Sequence, residues 1–399
     1  MNYEHMPLFQ LAREVMERIE AYGGEAYIVG GCVRDLILQH EVGDIDIATS
    51  LVPEEVMEVF DKVIPVGVEH GTVIVRHRSH SFEVTTYRIE EDYRNYRHPE
   101  RVYFVSSIEK DLSRRDFTMN AIAMSGSGDI IDPFNGREAI REKRITTVGK
   151  AEDRFEEDPL RMMRALRFSA QLNFSIDEEV YSVINEKKGL LEHLSVERIA
   201  EEFIKLMTSY SYLEGWRNLK LTGVYHYFPI FRNRPFLIDA RPATRLTDWG
   251  ELISFYHLQA RDTDVKEWIT SWKLSNRIRK KAEKLIEAFH LFEENETINY
   301  AMYQLGEDYL HSFRNLTSSL GIDLSFDPRD TYDNLPVHAR NDLALKTSEL
   351  MDVFPERKKG KWIGEYLHAM EESVVQGTCR NQKHELIEWV KEWDQQNRN

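Results

Sequence analysis

The sequence predicts an α+β protein: a head of about 150 residues mixing strands and helices, then a helical remainder running to residue 399. Three observations carry that prediction. An apolar run, Tyr27 to Val29, passes through Gly30 and Gly31 into helical spacing at Val33, Leu36 and Ile37, a strand turning into a helix. Short alternating runs follow it over the first half of the chain. Beyond residue 155 the strand signals fade, and the apolar residues take up helical spacing instead.

The totals narrow the classes. At 399 residues the chain exceeds one ordinary core, so two to four domains are expected. A hydrophobic share of 42% with 30% charged residues describes a soluble globular protein. No apolar run approaches the roughly 18 residues of a membrane helix, and residues 1–7 lack the basic and apolar regions of a signal peptide. Two cysteines, Cys32 and Cys379, are too few for a disulfide framework or a cysteine zinc site, so a reducing cytoplasm is expected. A net charge of −16 opposes any overall attraction to nucleic acid. An RNA partner would have to meet local basic clusters.

In chain order, 9–22 reads as a helix, with Leu11, Val15, Met16 and Ile19 on one side and Gly23 and Gly24 ending it. The strand–glycine–helix unit follows. It presents backbone N–H groups to an anion, with Arg34 in its first turn as a charged fork for a phosphate. Asp44 and Asp46 alternate with Ile45 and Ile47, which in a strand puts both carboxylates on one face. Two carboxylates side by side repel each other unless a cation lies between them. Beside a phosphate cradle they point to Mg²⁺ and phosphoryl transfer. A helix is expected over 53–60, and strands over 63–68, 72–76 and 80–88. In the last of these Glu83 offers a third carboxylate, or is simply an exposed strand residue. The polar segment 90–101, with Pro99, reads as a mobile loop. A strand over 122–124 and a hairpin over 128–136 complete the head, with 140–148 closing it. Helices are then expected over 159–172, 177–185 and 196–207, and the rest is mostly helical.

Two further constellations carry chemistry. Arg114 and Arg115, read as extended, point opposite ways, so one can face a nucleotide while the other packs or faces RNA. Asp158, Arg161, Arg164 and Arg167 recur every third residue and slope round a helix, keeping Asp158 and Arg161 neighbours. Two readings of Asp158 stand. It is an N-cap ahead of Pro159, with the arginines a solvated face. Alternatively, a carboxylate accepts from the amino group of cytosine or adenine while a guanidinium donates to the ring nitrogen. Uracil or guanine would then leave groups unpaired. Arg164 and Arg167 lie further round, within reach of a triphosphate or RNA backbone.

With these residues the chain resembles the class II tRNA nucleotidyltransferases, the bacterial CCA-adding enzymes, in the form without a phosphohydrolase domain. The resemblance covers essentially the whole chain. Gly30, Gly31, Val33, Arg34 and Asp35 with Asp44 and Asp46 match the metal and triphosphate motif. Arg114 to Phe117 match the second motif, Asp132 to Gly136 a hinge-like third, and Glu157, Asp158 and Arg161 the motif that reads the incoming base. Glu197, Arg198 and Glu201 fit a later helix motif, with slightly shifted spacing.

The resemblance implies a head of the polymerase-β-like nucleotidyltransferase type, a mixed and mostly antiparallel sheet over 1–150. A neck over 151–209, a body over 210–295 and a tail over 296–399 follow, all α-helical. It implies metal binding by Asp44 and Asp46, a catalytic part for Glu83, and nucleotide contacts by Gly31, Arg34, Arg115, Asp158, Arg161, Arg164 and Arg167. Lys273 and Arg277 sit where the body would follow RNA, and Lys358, Lys359 and Lys361 where the tail would grip tRNA. Solvated helix ends are the competing reading of both clusters. The implied activity is template-independent addition of C, C and A to tRNA from CTP and ATP with Mg²⁺, in the cytoplasm, with no membrane and no DNA partner. Two alternatives remain: a bacterial poly(A) polymerase, which shares the head, and a non-catalytic tRNA-binding protein on an inactive head. The first would carry a basic segment where this chain has Gly67 to Val73, and the intact Asp44 and Asp46 oppose the second.

Overall fold

Alternation, glycine turns and amphipathic helices place the elements largely where the sequence predicts them. The computed structural model describes residues 6–94, 98–260, 262–293 and 298–397, which fall into two compact units, 1–233 and 234–399. The first unit opens with α1 (Pro7–Tyr22), whose Phe9, Ala12, Val15, Met16 and Ile19 are buried. Gly23 ends it in the left-handed conformation, at φ 106°.

The head then builds one sheet. Strand β1 (Ala26–Val29) leads through Gly30 into α2 (Gly31–Ile37), and β2 (Asp46–Thr49) returns antiparallel to β1. After α3 (Pro53–Val59) come β3 (Val63–Gly67), β4 (Thr72–His77) and β5 (His80–Thr86). A separate antiparallel ribbon, β6 (Arg88–Arg94) and β7 (His98–Phe104), precedes α4 (Ile108–Ser113). The short β8 (Ala123–Met124) and β9 (Ile130–Ile131) complete the sheet. Its order is β3-β4-β5-β2-β1-β8-β9, and only the β2–β5 pair is parallel. This is the mixed, mostly antiparallel sheet expected. Its core under α4 gathers Val29, Ala48, Tyr87, Ile108, Leu112, Ala121, Ala123 and Val148.

Helices carry the chain onward: α5 (Gly136–Arg141), the strand β10 (Arg144–Ile145), α6 (Ala151–Glu157) and α7 (Leu160–Leu172). Strand β11 (Ser175–Ile176) pairs in parallel with β10, and α8 (Glu178–Lys187), α9 (Val196–Met207) and α10 (Tyr212–Thr222) follow. Gly136 has no room for a side chain: a Cβ there would lie 2.2 Å from the Thr118 carbonyl oxygen. The second unit is helical, with α11 (Trp249–Ala260), α12 (Val265–Ser271), α13 (Asn276–Glu293), α14 (Ile298–Leu305), α15 (Leu310–Ser319) and α16 (Pro328–Asp333). It ends with α17 (Thr347–Val353), α18 (Trp362–Val375) and α19 (Lys383–Gln396). No helix among the described residues is long and apolar enough to cross a membrane.

Three local expectations change. Segment 90–101 is not a loop. It belongs to the β6–β7 ribbon, paired Ile89 with Tyr103, Glu90 with Val102 and Tyr93 with Pro99, while 95–97 lie outside the described residues. Charge and proline obscured a ladder that a two-stranded ribbon tolerates, because each strand is an edge and Pro99 needs no second partner. Asp44 precedes β2 rather than lying in it, although Ile45 and Ile47 are still buried and Asp44 and Asp46 exposed. Arg114 is not extended but closes α4 with helical backbone angles.

Candidate active site

The site begins at Gly30, whose φ of 78° belongs to the left-handed region that glycine enters without strain. A Cβ there would meet the Arg115 guanidinium at 2.9 Å, so the turn is also closed by packing. From that turn α2 projects Arg34, only 4% exposed, into the interior. Its fork donates to Asp35 and, at 2.8 Å, to Asn120 Oδ1. Asn120 in turn donates to Asp116 at 3.3 Å.

Two further arginines stand at the end of α4. Arg114 and Arg115 both donate to Asp111, at 2.8 and 3.1 Å, and Arg114 also reaches Glu90 on β6 at 3.0 Å. Burial alone would raise the Asp111 carboxyl, but these two guanidiniums outweigh it and hold it below the usual carboxylate range. Contrary to the expected division of roles, Arg114 and Arg115 line the same cavity.

Helix α7 supplies the opposite wall. Arg164 pairs with Asp116 at 2.6 Å, and that guanidinium holds the buried Asp116 carboxyl low against desolvation. Arg167 pairs with Glu202 of α9 and with Gln171, both at 2.5 Å. Arg34, Arg164 and Arg167 all lie over the Phe168 ring, 5.2, 5.4 and 3.9 Å from its centroid. Arg161 donates to Glu157 at 2.5 Å and, from its other terminal nitrogen, to the Arg114 carbonyl at 3.1 Å. Asp158 accepts from the Leu160 N–H at 3.0 Å, so it caps α7 as one reading required. It also takes a two-pronged pair from Arg198 of α9, at 2.7 and 3.3 Å.

These groups enclose one cavity of about 510 Å³. Gly31, Arg34, Asp46, Arg115, Asp158, Arg161, Arg164 and Arg167, all expected from the sequence, line it together. The parallel β2–β5 register sets Glu83 directly beside Asp46. Asp46 is open to solvent as a residue, but the protein around its carboxyl takes away enough water to push it up to about 6; the Glu83 and Asp44 carboxylates add to that, and Arg115 opposes it.

Sequence reasoning missed Asn120, Phe168 and Gln171 as lining residues. Glu201 is exposed, and the acid that reaches the cavity arginines is Glu202, 5% exposed. The signal was present: Glu202 falls on the buried stripe with Ile199, Phe203 and Leu206. Lys273 and Arg277, at the α12–α13 turn, are exposed, as are Lys358, Lys359 and Lys361 ahead of α18. All five belong to the second unit.

Family models match three segments: "Poly A polymerase head domain" over 26–146, "Probable RNA and SrmB-binding site of polymerase A" over 173–233, and "tRNA nucleotidyltransferase domain 2 putative" over 245–390. The CCA-adding enzyme of Oceanobacillus iheyensis is 40% identical over 389 residues, covering 96% of this chain and 97% of the relative. The chain belongs to the CCA-adding enzyme family. It is a tRNA nucleotidyltransferase, as its motifs implied. A Geobacillus CCA-adding enzyme is 39% identical, covering 96% of each chain. The Bacillus stearothermophilus CCA-adding enzyme in complex with CTP superposes with a TM-score of 0.86 at 34% identity, covering 98% of both chains. The Thermotoga maritima CCA-adding enzyme complexed with tRNA, at 21% identity and a TM-score of 0.64, shares the fold. The poly(A) polymerase alternative draws its support from the head and the 173–233 segment, whereas these full-length relatives are CCA-adding enzymes.

Proposed function

We propose that this chain adds C, C and A in turn to the 3′ end of tRNA from CTP and ATP, with no nucleic-acid template. One observation carries the reading: arginines able to hold phosphates, Asp158 and Arg161 suited to a base edge, and the Asp46 carboxylate share one cavity. Gly31, Arg34, Arg164 and Arg167 bind the triphosphate. Asp158 accepts from the base amino group and Arg161 donates to its ring nitrogen. Ionised carboxylates offer about four lone-pair sites and guanidiniums five donors, so each can serve a base while keeping its protein partner. In the reaction the 3′-hydroxyl oxygen bonds to the α-phosphorus. The bond from that phosphorus to the bridging oxygen breaks, pyrophosphate leaves with the electron pair, and the hydroxyl proton passes to water. Residues 1–150 form the catalytic head and 151–209 the base-reading neck. Residues 210–295 and 296–399 hold the RNA, through Lys273, Arg277, Lys358, Lys359 and Lys361. The cytoplasm is the proposed location.

The donor set fits Mg²⁺. Asp44 and Asp46 are exposed carboxylates two positions apart, and the parallel register sets Glu83 beside Asp46. Mg²⁺ suits such a site, since it uses one or two carboxylates and takes its other ligands from water and phosphate. When bound it would acidify the 3′-hydroxyl and neutralise the leaving pyrophosphate, with Asp44 and Asp46 as its protein ligands and Glu83 alongside.

The test is labelled CTP and ATP incorporation into a tRNA lacking its terminal CCA. The expected product ends in CCA with both nucleotides, and Asp46→Ala adds neither C nor A. A long A tail from ATP alone would favour the poly(A) polymerase; no incorporation by the native chain would favour the non-catalytic reading.

A further inference from the structure

Nucleotidyl transfer brings two substrates to one phosphorus from roughly opposite sides, and the cavity described above serves only one of them. Next to it lies a second cavity, of about 200 Å³. The two share Asp46, Arg114 and Arg115 as a common wall. At about 30 Å³ per water in the liquid, the smaller one holds about seven waters, or a single sugar ring.

Its lining differs in kind. Glu83 and Thr85 sit two apart on β5 and so face the same side. Thr72 on β4 is directly opposite Thr85 in the antiparallel register, and their hydroxyls are 3.1 Å apart. Arg88 stands at the same cavity, its Nε donating to Glu90 at 2.8 Å. A pair of adjacent hydroxyls, each both donor and acceptor, can donate to and accept from the 2′-hydroxyl of a terminal ribose. The arginines fit the phosphate behind that ribose.

We propose that this second cavity seats the 3′-terminal ribose of the RNA being extended, with the Thr72 and Thr85 hydroxyls holding its 2′-hydroxyl. That leaves the 3′-hydroxyl turned toward Asp46 and Glu83, beside the nucleotide. The inference rests on the transfer reaction proposed above and adds to it the residues that hold the second substrate. The competing role for the two threonines is a cross-strand hydroxyl pair that only stabilises the sheet.

The experiment uses the full chain and two primers, tRNA lacking its CCA with either a ribose or a 2′-deoxyribose at its 3′ end. C addition by the native chain is expected to fall about tenfold on the deoxy primer, the size of one neutral hydrogen bond. Thr85→Val and Thr72→Val, each melting normally, are expected to lose about as much on the ribose primer and little more on the deoxy primer, with CTP affinity unchanged. Full and independent losses from the threonine and the 2′-hydroxyl would overturn the proposal. So would a lower melting temperature with normal primer use, or a change confined to CTP. If the native chain adds no C to either primer, the transfer reading itself fails; normal addition by the native chain and both variants sinks only the ribose seat.

Discussion

Removing the Asp158 carboxylate should separate its structural bonds from the base-reading role proposed for it, because one shows in stability and the other in base choice. Asp158→Ala deletes the bond from the Leu160 N–H and the two-pronged pair with Arg198. The cap is worth about 1 kcal/mol. Arg198, 20% exposed at its side chain, is left with an unmatched guanidinium at a further roughly 1–2 kcal/mol. Together these cost about 2–3 kcal/mol, a fall in Tm of roughly 5–10 °C for a unit of this size.

Base choice moves separately. A charge-assisted bond from the cytosine amino group contributes about 1.5–3 kcal/mol. The kcat/KM for CTP should therefore drop about 10–150-fold, while that for UTP, which has no amino donor there, drops far less. Asp158→Asn keeps a capping acceptor and gains an amide donor that suits the uracil carbonyl, so its ratio should shift further toward UTP. The assay is single-nucleotide incorporation with CTP and UTP in parallel, alongside thermal melts. A CTP-to-UTP ratio unchanged in both variants, with only the expected loss of Tm, would reduce Asp158 to a cap and refute the base-reading role.

Other expectations follow from the same geometry. Removing residues 91–98 should leave addition of two C residues largely intact and strongly impair the terminal A, since it takes away the β6–β7 pairing that positions Glu90, and Glu90 ties to Arg114, whose carbonyl holds Arg161. Product ladders that stop at CC support this, and equal loss of both steps opposes it. Asp116 has a folded pKa below its unfolded value near ~3.9. Its stabilising contribution is thus present above that pH and lost as pH falls through the folded value. Denaturant unfolding of Asp116→Asn between pH 7 and pH 3 should show lower stability at neutral pH and a flatter acid limb; an unchanged acid slope would contradict it. Lys358, Lys359 and Lys361 are exposed, so replacing all three with Ala should raise the KM for tRNA more than that for CTP and weaken the salt dependence of tRNA binding.

What the sequence made legible was local. The glycine turn, the alternation at Asp44 to Ile47 and the helix periods are written in neighbouring residues, and the elements stand within a few positions of expectation. What it hid was pairing at long range. Nothing within the Asp158–Arg161 segment shows that Asp158 turns to Arg198, forty positions on, while Arg161 turns back to Glu157 and the Arg114 carbonyl. The β6–β7 ribbon was missed because its composition is that of a loop, and its pairing partners lie in the second strand. The choice of Glu202 over Glu201 depended on which residue the buried stripe of α9 carries inward, a helical-phase argument that motif spacing obscured.

An acidic chain gathers arginines at this cavity wall without gathering net positive charge. Seven arginines and three aspartates line it, against a net charge of −16 for the whole chain. Every one of the seven also carries a carboxylate partner: Asp35 for Arg34, Asp111 for Arg114 and Arg115, Glu157 for Arg161, Asp116 for Arg164, Glu202 for Arg167 and Asp158 for Arg198. Those partners relieve the mutual repulsion of three guanidiniums stacked on Phe168 and fix each fork in direction. A fork already held by one carboxylate has lost its rotamer entropy before any ligand arrives, so its remaining donors stand in place. Asp158 is thus already a helix cap and an arginine partner, and the base-reading role proposed for it asks one more bond of a carboxylate fixed in direction.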